Sequence, residues 1–464
     1  MRRRTLLQTL AALPLAAQTQ RRKPNLIVIL ADDMGYGDIG CYGSPDVPTP
    51  HIDALAKNGT RFTDGYVSCA VCSPSRAALL TGRYQHRFGH EFNSGPSERE
   101  AQVNFGLPIG EKILPQYLAP AGYRSAVIGK WHLGIRAGYH PQERGFDEFF
   151  GFLVGGNAFI TAKTTGGRAV ETDDRNGAIP QTRKEPIYRG KQVVQEDRYL
   201  TDVFTEEGVQ FIDRHRGNPF FLYMAYNAIH TPLHTLDKYL ARVPHIKEEK
   251  HRLLAAMTVA LDDGVGRIMA KLREHNLERD TVVVFLSDNG CPEHTGAGTN
   301  GPLNGEKVTY YEGGIRVPFV IQWPGKVPAG KVYRNPVVSR DIAPTFLAAA
   351  GVNPNVAFDG VDLLPYVNGA KTGEPHPVLY WRGGKARAIR KGKWKLLEFG
   401  DNYTKLYDLS KDLGEHDDVS SKNPDVLKEL RGLWQQWSNQ MMAPRWPPRY
   451  RELTVNGEKL NWEL

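Results

Sequence analysis

The apolar positions of this chain fall into two rhythms that alternate along it. Short unbroken runs occupy residues 25–30, 124–128, 220–226 and 281–286, each bounded by proline, glycine or a polar cluster. Runs of this kind suit strands buried on both faces, as in a parallel sheet covered by helices. Between them the period lengthens. Thr49-Pro50 opens a helix that stops at Gly59, with proline at a permitted early position and glycine at the stop. From 248 to about 275, Leu254, Met257, Leu261, Val265, Ile268 and Leu272 recur at steps of three and four, a stripe that reads as core packing. Strands alternating with helices predict an α/β fold built on a large, mostly parallel sheet with helices on its faces.

The rhythm breaks in two places. Residues 155–198 are rich in Gly, Thr, Arg and other polar residues with little periodicity, which predicts a looped insertion. A stretch containing Pro and Gly from 368 to 377 marks a boundary. Beyond it, 378–382, 386–399 and 405–409 read as strands, and 424–440 as a helix started by Asn423. The expected organisation is a leader at 1–20, a main domain at 21–372 and a small C-terminal antiparallel sheet-plus-helix domain at 373–464. Arg387, Arg390, Lys391, Lys393 and Lys395 alternate with apolar residues and read as a solvated strand face, or alternatively as a contact for a polyanion.

Composition narrows the class. With 464 residues, 41% apolar and 24% charged, the chain is globular and long enough for one large domain and a smaller one. Arg2, Arg3 and Arg4 precede an apolar run from 6 to 17 that is too short to span a bilayer and ends in small residues. That order reads as an export signal removed near Ala17, of either the twin-arginine or the general secretory kind. No other stretch is long and apolar enough for a transmembrane anchor. Loss of those arginines lowers the net charge from +8 to +5, a basic balance suited to polyanionic partners. No zinc finger, basic zipper or RNA-binding signature accompanies it, so a nucleic-acid partner is not expected. Four cysteines do not make a disulfide scaffold in so long a chain.

The chemistry gathers at the strand ends. The first run delivers Asp32 and Asp33, and the run at 281–286 delivers Ser287-Asp288-Asn289-Gly290. Ligands of open α/β sheets bind beyond the carboxyl ends of strands, where three carboxylates and an amide oxygen suit a hard divalent cation. Each group alone could equally be an acidic turn. Two other runs deliver Gly129-Lys130-Trp131-His132-Leu133-Gly134 and Asn227-Ala228-Ile229-His230-Thr231-Pro232, whose lysine and histidines could line loops or cap turns. Cys72-Ser73-Pro74-Ser75-Arg76 leads into Ala77-Ala78-Leu79-Leu80-Thr81-Gly82-Arg83, placing a cysteine at the mouth of a short apolar helix where N–H groups and the helix dipole favour an anion. Cys69 and Cys72 also spell Cys-x-x-Cys, a redox pair or half of a zinc site, although Cys41 and Cys291 stand isolated.

The run from Cys72 through Arg76, continued by Leu80-Thr81-Gly82-Arg83, resembles the signature of the type I sulfatases, members of the alkaline phosphatase superfamily. The segment 129–134 resembles a second signature of that family, and His230 and Lys307, the latter ahead of Tyr311-Glu312-Gly313-Gly314-Ile315-Arg316-Val317-Pro318, match further positions. The resemblance implies an alkaline phosphatase-like fold and a sulfuric ester hydrolase acting on a sulfated carbohydrate. It implies that a maturase oxidises Cys72 to formylglycine and that calcium is bound by Asp32, Asp33, Asp288, Asn289 and the modified Cys72. Arg76, Lys130 and Lys307 would then hold sulfate oxygens, His132 would assist sulfate release, and His230 would protonate the leaving alcohol. Arg87, His90 and Asn93 follow the signature closely enough to be pocket candidates, and the insertion at 155–198 would be a rim that selects the sugar. Two other readings stay open at this stage: a phosphodiesterase or phosphonate hydrolase on the same scaffold, and a glycan-binding protein without turnover if Cys72 is never modified.

Overall fold

The computed structural model describes residues 22–95, 105–169 and 185–464, so the expected export signal lies outside the described residues. Its centre is a ten-stranded sheet in the order Lys331–Tyr333, Thr60–Phe62, Phe319–Gln322, Thr281–Ser287, Asn25–Ala31, Phe220–Ala225, Arg124–Lys130, Glu148–Phe152, Ile187–Arg189 and Gln192–Val194. The five strands from Thr281–Ser287 to Glu148–Phe152 run parallel, and antiparallel strands close the sheet on either side.

Why the central strand is apolar throughout follows from its two faces. Ile27 and Ile29 pack with Met257, Leu261, Val265 and Ile268 of the helix Glu249–Glu274. Leu26, Val28 and Leu30 face the other way, into a cluster with Leu79, Leu80 and Phe346. Side chains alternate along a strand, so a sheet covered by helices on both faces needs apolar residues at every position. Each fully buried Leu or Ile contributes roughly 1.5–3 kcal/mol. The helical stripe from Leu254 to Leu272 is buried, as core packing requires.

The insertion departs from the looped expectation. Within its described parts, Ile187–Arg189 and Gln192–Val194 extend the large sheet at one edge, and Gly167–Ala169 pairs with His234–Leu236. Backbone pairing, which demands no apolar period, organises this polar sequence.

The C-terminal region forms a four-stranded antiparallel sheet, Val378–Gly383, Ala386–Lys391, Trp394–Phe399 and Tyr403–Asp408, with the helix Pro424–Ser438 beside it. The stretch 386–399, read as one strand, is a hairpin turned at Gly392, whose φ of +54° lies in the left-handed region. A second hairpin, Tyr450–Val455 with Glu458–Glu463, was not anticipated, although Asn456-Gly457 between the strands is a strong turn signal. Among the described residues, no helix is long and apolar enough to cross a membrane.

The basic strand face needs correcting. Lys391 and Lys393 are exposed and Arg387 partly so, but Arg390 and Lys395 are buried. Lys395 Nζ lies 2.9 Å from Glu312 Oε1 and 2.8 Å from Glu415 Oε1, all three side chains fully buried. Glu312 also accepts hydrogen bonds from Tyr66 (2.6 Å) and Arg316 (3.2 Å), while Arg390 pairs with Asp64 at 2.7 Å. These cations are interior because their carboxylates come from distant parts of the chain. Removing one member of a buried pair typically costs about 3–5 kcal/mol, whereas an exposed pair is worth about 1 kcal/mol or less. Lys395→Met should therefore destabilise the protein by about 3–5 kcal/mol in denaturant unfolding, and Lys391→Met, which loses only its exposed pair with Glu429, should change stability by less than about 1 kcal/mol.

Candidate active site

Four neighbouring parallel strands end at one edge of the sheet, and the polar segments that follow them converge there. Asp288 N–H donates to Ala31 O (3.1 Å), Asp32 N–H to Ala228 O (2.8 Å) and Ile229 N–H to Asp32 O (2.9 Å), so the loops are tied by their backbones before any side chain acts. Asp33 N–H reaches Asp288 Oδ1 at 3.2 Å.

Cys72 begins the helix Cys72–Thr81, all of whose residues are buried. Its Sγ faces Asp32 Oδ1 at 3.6 Å and Asp33 Oδ1 at 3.9 Å. Burial, and next the charge of Asp288, push the thiol far above its ordinary range, so the protonated form faces these carboxylates. All four cysteines are free, and Cys69 Sγ contacts the Tyr310 hydroxyl at 3.4 Å, so Cys69 and Cys72 form no disulfide here.

Three cations balance the carboxylates. Arg76 Nε donates to Asp288 Oδ2 at 2.8 Å, Lys130 Nζ to Asp32 Oδ2 at 2.7 Å, and Lys307 Nζ to Asp33 Oδ2 at 2.7 Å. Burial would raise the pKa of Asp33, but Lys307, His230 and Lys130 outweigh it and hold the group well below the usual carboxylate range. Asp288 goes the other way: burial, then Asp32, raise it to about 6 against the pull of Arg76 and Lys130.

The two histidines are poised differently. His230 Nδ1 faces the Thr231 carbonyl, which can only accept, so Nδ1 carries the hydrogen and Nε2, 3.5 Å from Asp33 Oδ2, presents a lone pair in the neutral ring. Burial lowers its pKa to about 4 despite Asp33. His132 Nε2 donates to Ser94 O at 3.2 Å, leaving Nδ1 buried without a partner, and burial holds this ring neutral as well.

A cavity of about 340 Å³ opens over this floor, lined by Asp33, Cys72, Asn93, His132, His230 and Lys307 among others. Asp32, Arg76, Lys130, Asp288 and Asn289 lie behind them, buried. Asn93 Oδ1 accepts from Ser73 N–H at 2.9 Å, at the start of the cysteine helix. His90 does not line the cavity; its Nε2 meets Ser73 Oγ at 2.7 Å, and Ser73 donates to His132 O at 2.6 Å. Arg87 is turned away, in a bidentate pair with Asp359 at 2.7 Å.

The sequence reading missed three features. Ser73 links His90 to the backbone of His132, and the side chain's small size inside a helix gave no sign of it. Gly155 leaves space for an imidazole: a Cβ there would lie 2.6 Å from His132 Nε2, and the Gly155-Gly156 pair was the available signal. Backbone strain concentrates here too, since Asp33 (φ +62°), His132 (+57°) and Val308 (+84°), which follows Lys307, adopt left-handed conformations that cost about 1–3 kcal/mol each.

The donor set fits a hard cation. Ligand atoms of Asp32, Asp33, Cys72 and His230 lie within 4.8 Å of one another, Asp288 adjoins them, and Asn289 Oδ1 is a buried acceptor that no donor satisfies. Clustered carboxylates with an orphan amide oxygen match the oxygen ligands calcium takes.

Comparison with known proteins agrees with this geometry. A family model described as Sulfatase matches residues 24–352, and one described as N-sulphoglucosamine sulphohydrolase, C-terminal, matches 305–440. The chain is 35% identical over 414 residues to N-acetylgalactosamine-6-sulfatase of Sus scrofa, covering 84% of this chain and 74% of that protein. It is 33% identical to arylsulfatase A of Homo sapiens, covering 93% and 90%. Among solved structures, Ps i-CgsB in complex with k-i-k-neocarrahexaose superposes with a TM-score of 0.83 at 37% identity, over 92% of this chain and 95% of that one. Phosphonate monoester hydrolase of Agrobacterium radiobacter shares the fold at 19% identity and a TM-score of 0.66, over 90% and 96%.

Calcium added to chelator-treated protein should raise its melting temperature saturably, since a ligand at a hundred times its Kd stabilises the native state by about 2.7 kcal/mol. Asp33→Asn or Asp288→Asn should remove that shift, read by calorimetry without any activity assay. Absence of the shift in the unsubstituted protein would overturn the cation assignment.

Proposed function

The chain belongs to the sulfatase family and is a sulfuric ester hydrolase, and on that premise we propose that it removes O-sulfate groups from carbohydrates, using a formylglycine made from Cys72 and a calcium ion at the strand ends. The observation that carries this reading is the convergence of Cys72, Asp33, Lys307 and two histidines on one small cavity, with Asp32 and Asp288 buried directly behind them. The names of similar proteins, N-acetylgalactosamine-6-sulfatase and a protein solved with k-i-k-neocarrahexaose, support carbohydrate as the substrate class. Residues 1–20 support export before the enzyme acts, and a division near residue 372 separates a catalytic part from the C-terminal sheet.

Calcium held by Asp32, Asp33, Asp288, Asn289 and position 72 would supply positive charge toward the oxygens of the transferring sulfate. Formylglycine, if a maturase makes it from Cys72, would supply on hydration two hydroxyl groups on one carbon, one to displace the alcohol from sulfur and a second whose deprotonation would expel sulfate by carbon–oxygen cleavage and restore the aldehyde; an ordinary serine lacks the second. The chain's own groups do the rest. Lys307 Nζ, on the cavity wall, binds a sulfate oxygen, while Arg76 and Lys130 pair with Asp288 and Asp32 from behind. His132 Nδ1, a lone pair without a partner, accepts the proton lost at release. His230, neutral in the free site, takes a proton from solvent at Nε2 and passes it to the leaving oxygen as the ester bond to sulfur breaks. Preorganised cations around developing charge are usually the largest catalytic contribution.

Two experiments test this. Cys72→Ala should keep the fold, by unchanged melting, and lose turnover of both aryl sulfate and sulfated sugar; peptide mass spectrometry of the active enzyme should find the aldehyde or its hydrate at position 72. An active enzyme carrying only cysteine there would refute the nucleophile. For His230→Ala, single-turnover rates should fall roughly a hundred- to ten-thousand-fold on a sulfated sugar, whose alcohol is a poor leaving group, and far less on a nitrophenyl sulfate. Equal losses on the two substrates would make His230 a sulfate ligand instead of the acid.

A further inference from the structure

Beyond the strand end that delivers Asp288 and Asn289, residues 291–307 form one closed loop. Lys307 N–H donates to Cys291 O at 3.1 Å, so the loop is pinched where it leaves and rejoins the floor of the site. Asn300, fully buried, braces its middle: Oδ1 accepts from Cys291 N–H at 2.9 Å, and Nδ2 donates to Cys291 O at 3.0 Å and to Gly305 O at 3.2 Å. One arm of the loop ends in Lys307, paired with Asp33. The other carries a short helical turn, Glu293–Thr295, whose His294 lines the same cavity as Lys307.

A carboxylate from the lysine arm fixes that histidine. Glu306 Oε2 accepts the backbone N–H of His294 at 3.1 Å and also meets its ring Nδ1. The acid side chain is 9% exposed and the imidazole 23%, so the acid is covered while the ring stays open to the cavity it lines. A carboxylate can only accept, so Nδ1 carries the hydrogen, and in the neutral ring Nε2 is a lone pair. Among the described residues Nε2 has no hydrogen-bond partner.

Other polar groups on the lining are differently placed. Arg449, Arg451 and Glu185 reach it already engaged by other groups. Asn93 Oδ1 accepts from Ser73, His230 Nε2 stands 3.5 Å from Asp33, and Lys307 Nζ is a donor. A sulfate ester carries no hydrogen on its oxygens near neutral pH, so it binds donors; a lone pair beside it needs a hydrogen from elsewhere on the ligand. At about 340 Å³ the cavity is at the small end of ligand sites, which span roughly 300–1,000 Å³, and takes about one sugar. The hydrogen within reach is then that of a free hydroxyl on the sugar that loses its sulfate.

Resting on the carbohydrate sulfatase reading, we propose that His294, oriented by Glu306, accepts a hydrogen bond from one free hydroxyl of the target sugar. His294 is thereby a specificity-determining residue, and Glu306 its positioning residue. A second sulfate at that hydroxyl removes the hydrogen and sets an anion against a lone pair backed by a carboxylate. Where both positions of a sugar are sulfated, the other sulfate must therefore be removed before this enzyme acts.

The test is calorimetric binding to the full, calcium-loaded chain carrying Cys72→Ala. The parent ligand is whichever monosulfate of galactose, N-acetylgalactosamine, glucosamine or fucose binds most tightly, and each remaining hydroxyl is replaced in turn by hydrogen or by a second sulfate. One deoxy position should weaken binding about fivefold or more, because an acceptor in the cavity is left unpaired, and a second sulfate there should weaken it at least as much. His294→Asn keeps an amide to reach Glu306 but has nothing at the place of Nε2. In it the penalty at that one position should fall to within about twofold, with the penalties at other positions kept. Thermal melting checks folding, and His294→Phe, a ring without nitrogens, repeats the comparison if the asparagine variant melts early. Deoxy penalties that the substitution does not move, or a second sulfate that tightens binding at the position it singles out, would overturn the contact. Failure of every monosulfate to bind, in a chain whose unsubstituted form hydrolyses nitrophenyl sulfate, would sink the carbohydrate reading itself.

Discussion

Three carboxylates held together out of water repel one another, and that repulsion sets the terms for the rest of the structure. Asp32, Asp33 and Asp288 are each almost fully buried, where opposing charge must come from the protein or from a bound ion. Lys130, Lys307 and Arg76 each answer one of them, and each arrives from a different segment: a neighbouring strand end, a long loop and the cysteine helix. The arrangement still leaves Asp288 raised and Asn289 Oδ1 unsatisfied. What remains open to a divalent ion is a set of oxygens already gathered at one point, with the Asn289 amide oxygen still unsatisfied among them.

The loop bearing Lys307 is in turn held from behind. Val308, strained at a φ of +84°, donates its N–H to Ala70 O at 2.8 Å, tying the lysine loop to the segment just before Cys72. A few residues on, Glu312 is gripped by Lys395, Tyr66 and Arg316. The C-terminal sheet therefore does more than cover the main domain. Its buried lysine fixes one end of the loop whose other end delivers Lys307 to the cavity wall, so strain at the site is sustained by ion pairs away from it.

What the sequence made legible was whatever depends on local order. Apolar runs ending in carboxylates announced both the parallel sheet and the edge where its chemistry would lie, and Cys72 with its following helix could be placed because helix starts are written in a few consecutive residues. Partnership across long separations could not be read. Arg390 and Lys395 look like any solvated basic strand until Asp64, Glu312 and Glu415 are folded against them. Likewise His90 and Arg87 sit only a few residues apart, yet one supports Ser73 and the other pairs with Asp359, a division made by tertiary packing. The hairpin at 450–463 was legible through Asn456-Gly457, but nothing local says that its arginines reach a cavity formed by segments hundreds of positions earlier.

The order of strands also has a consequence in time. The central strand Asn25–Ala31 is flanked by Phe220–Ala225 and Thr281–Ser287, both made long after it. Topologies dominated by such distant pairings close late and fold slowly. Cys72, 1% exposed once its helix is packed, waits in an unfinished chain until the last of those strands emerges. At about 5–20 residues per second, residues 72 and 287 leave the ribosome roughly 10–40 s apart. The fold thus sets a clock on position 72: its thiol is open to solvent for that interval, and buried after it.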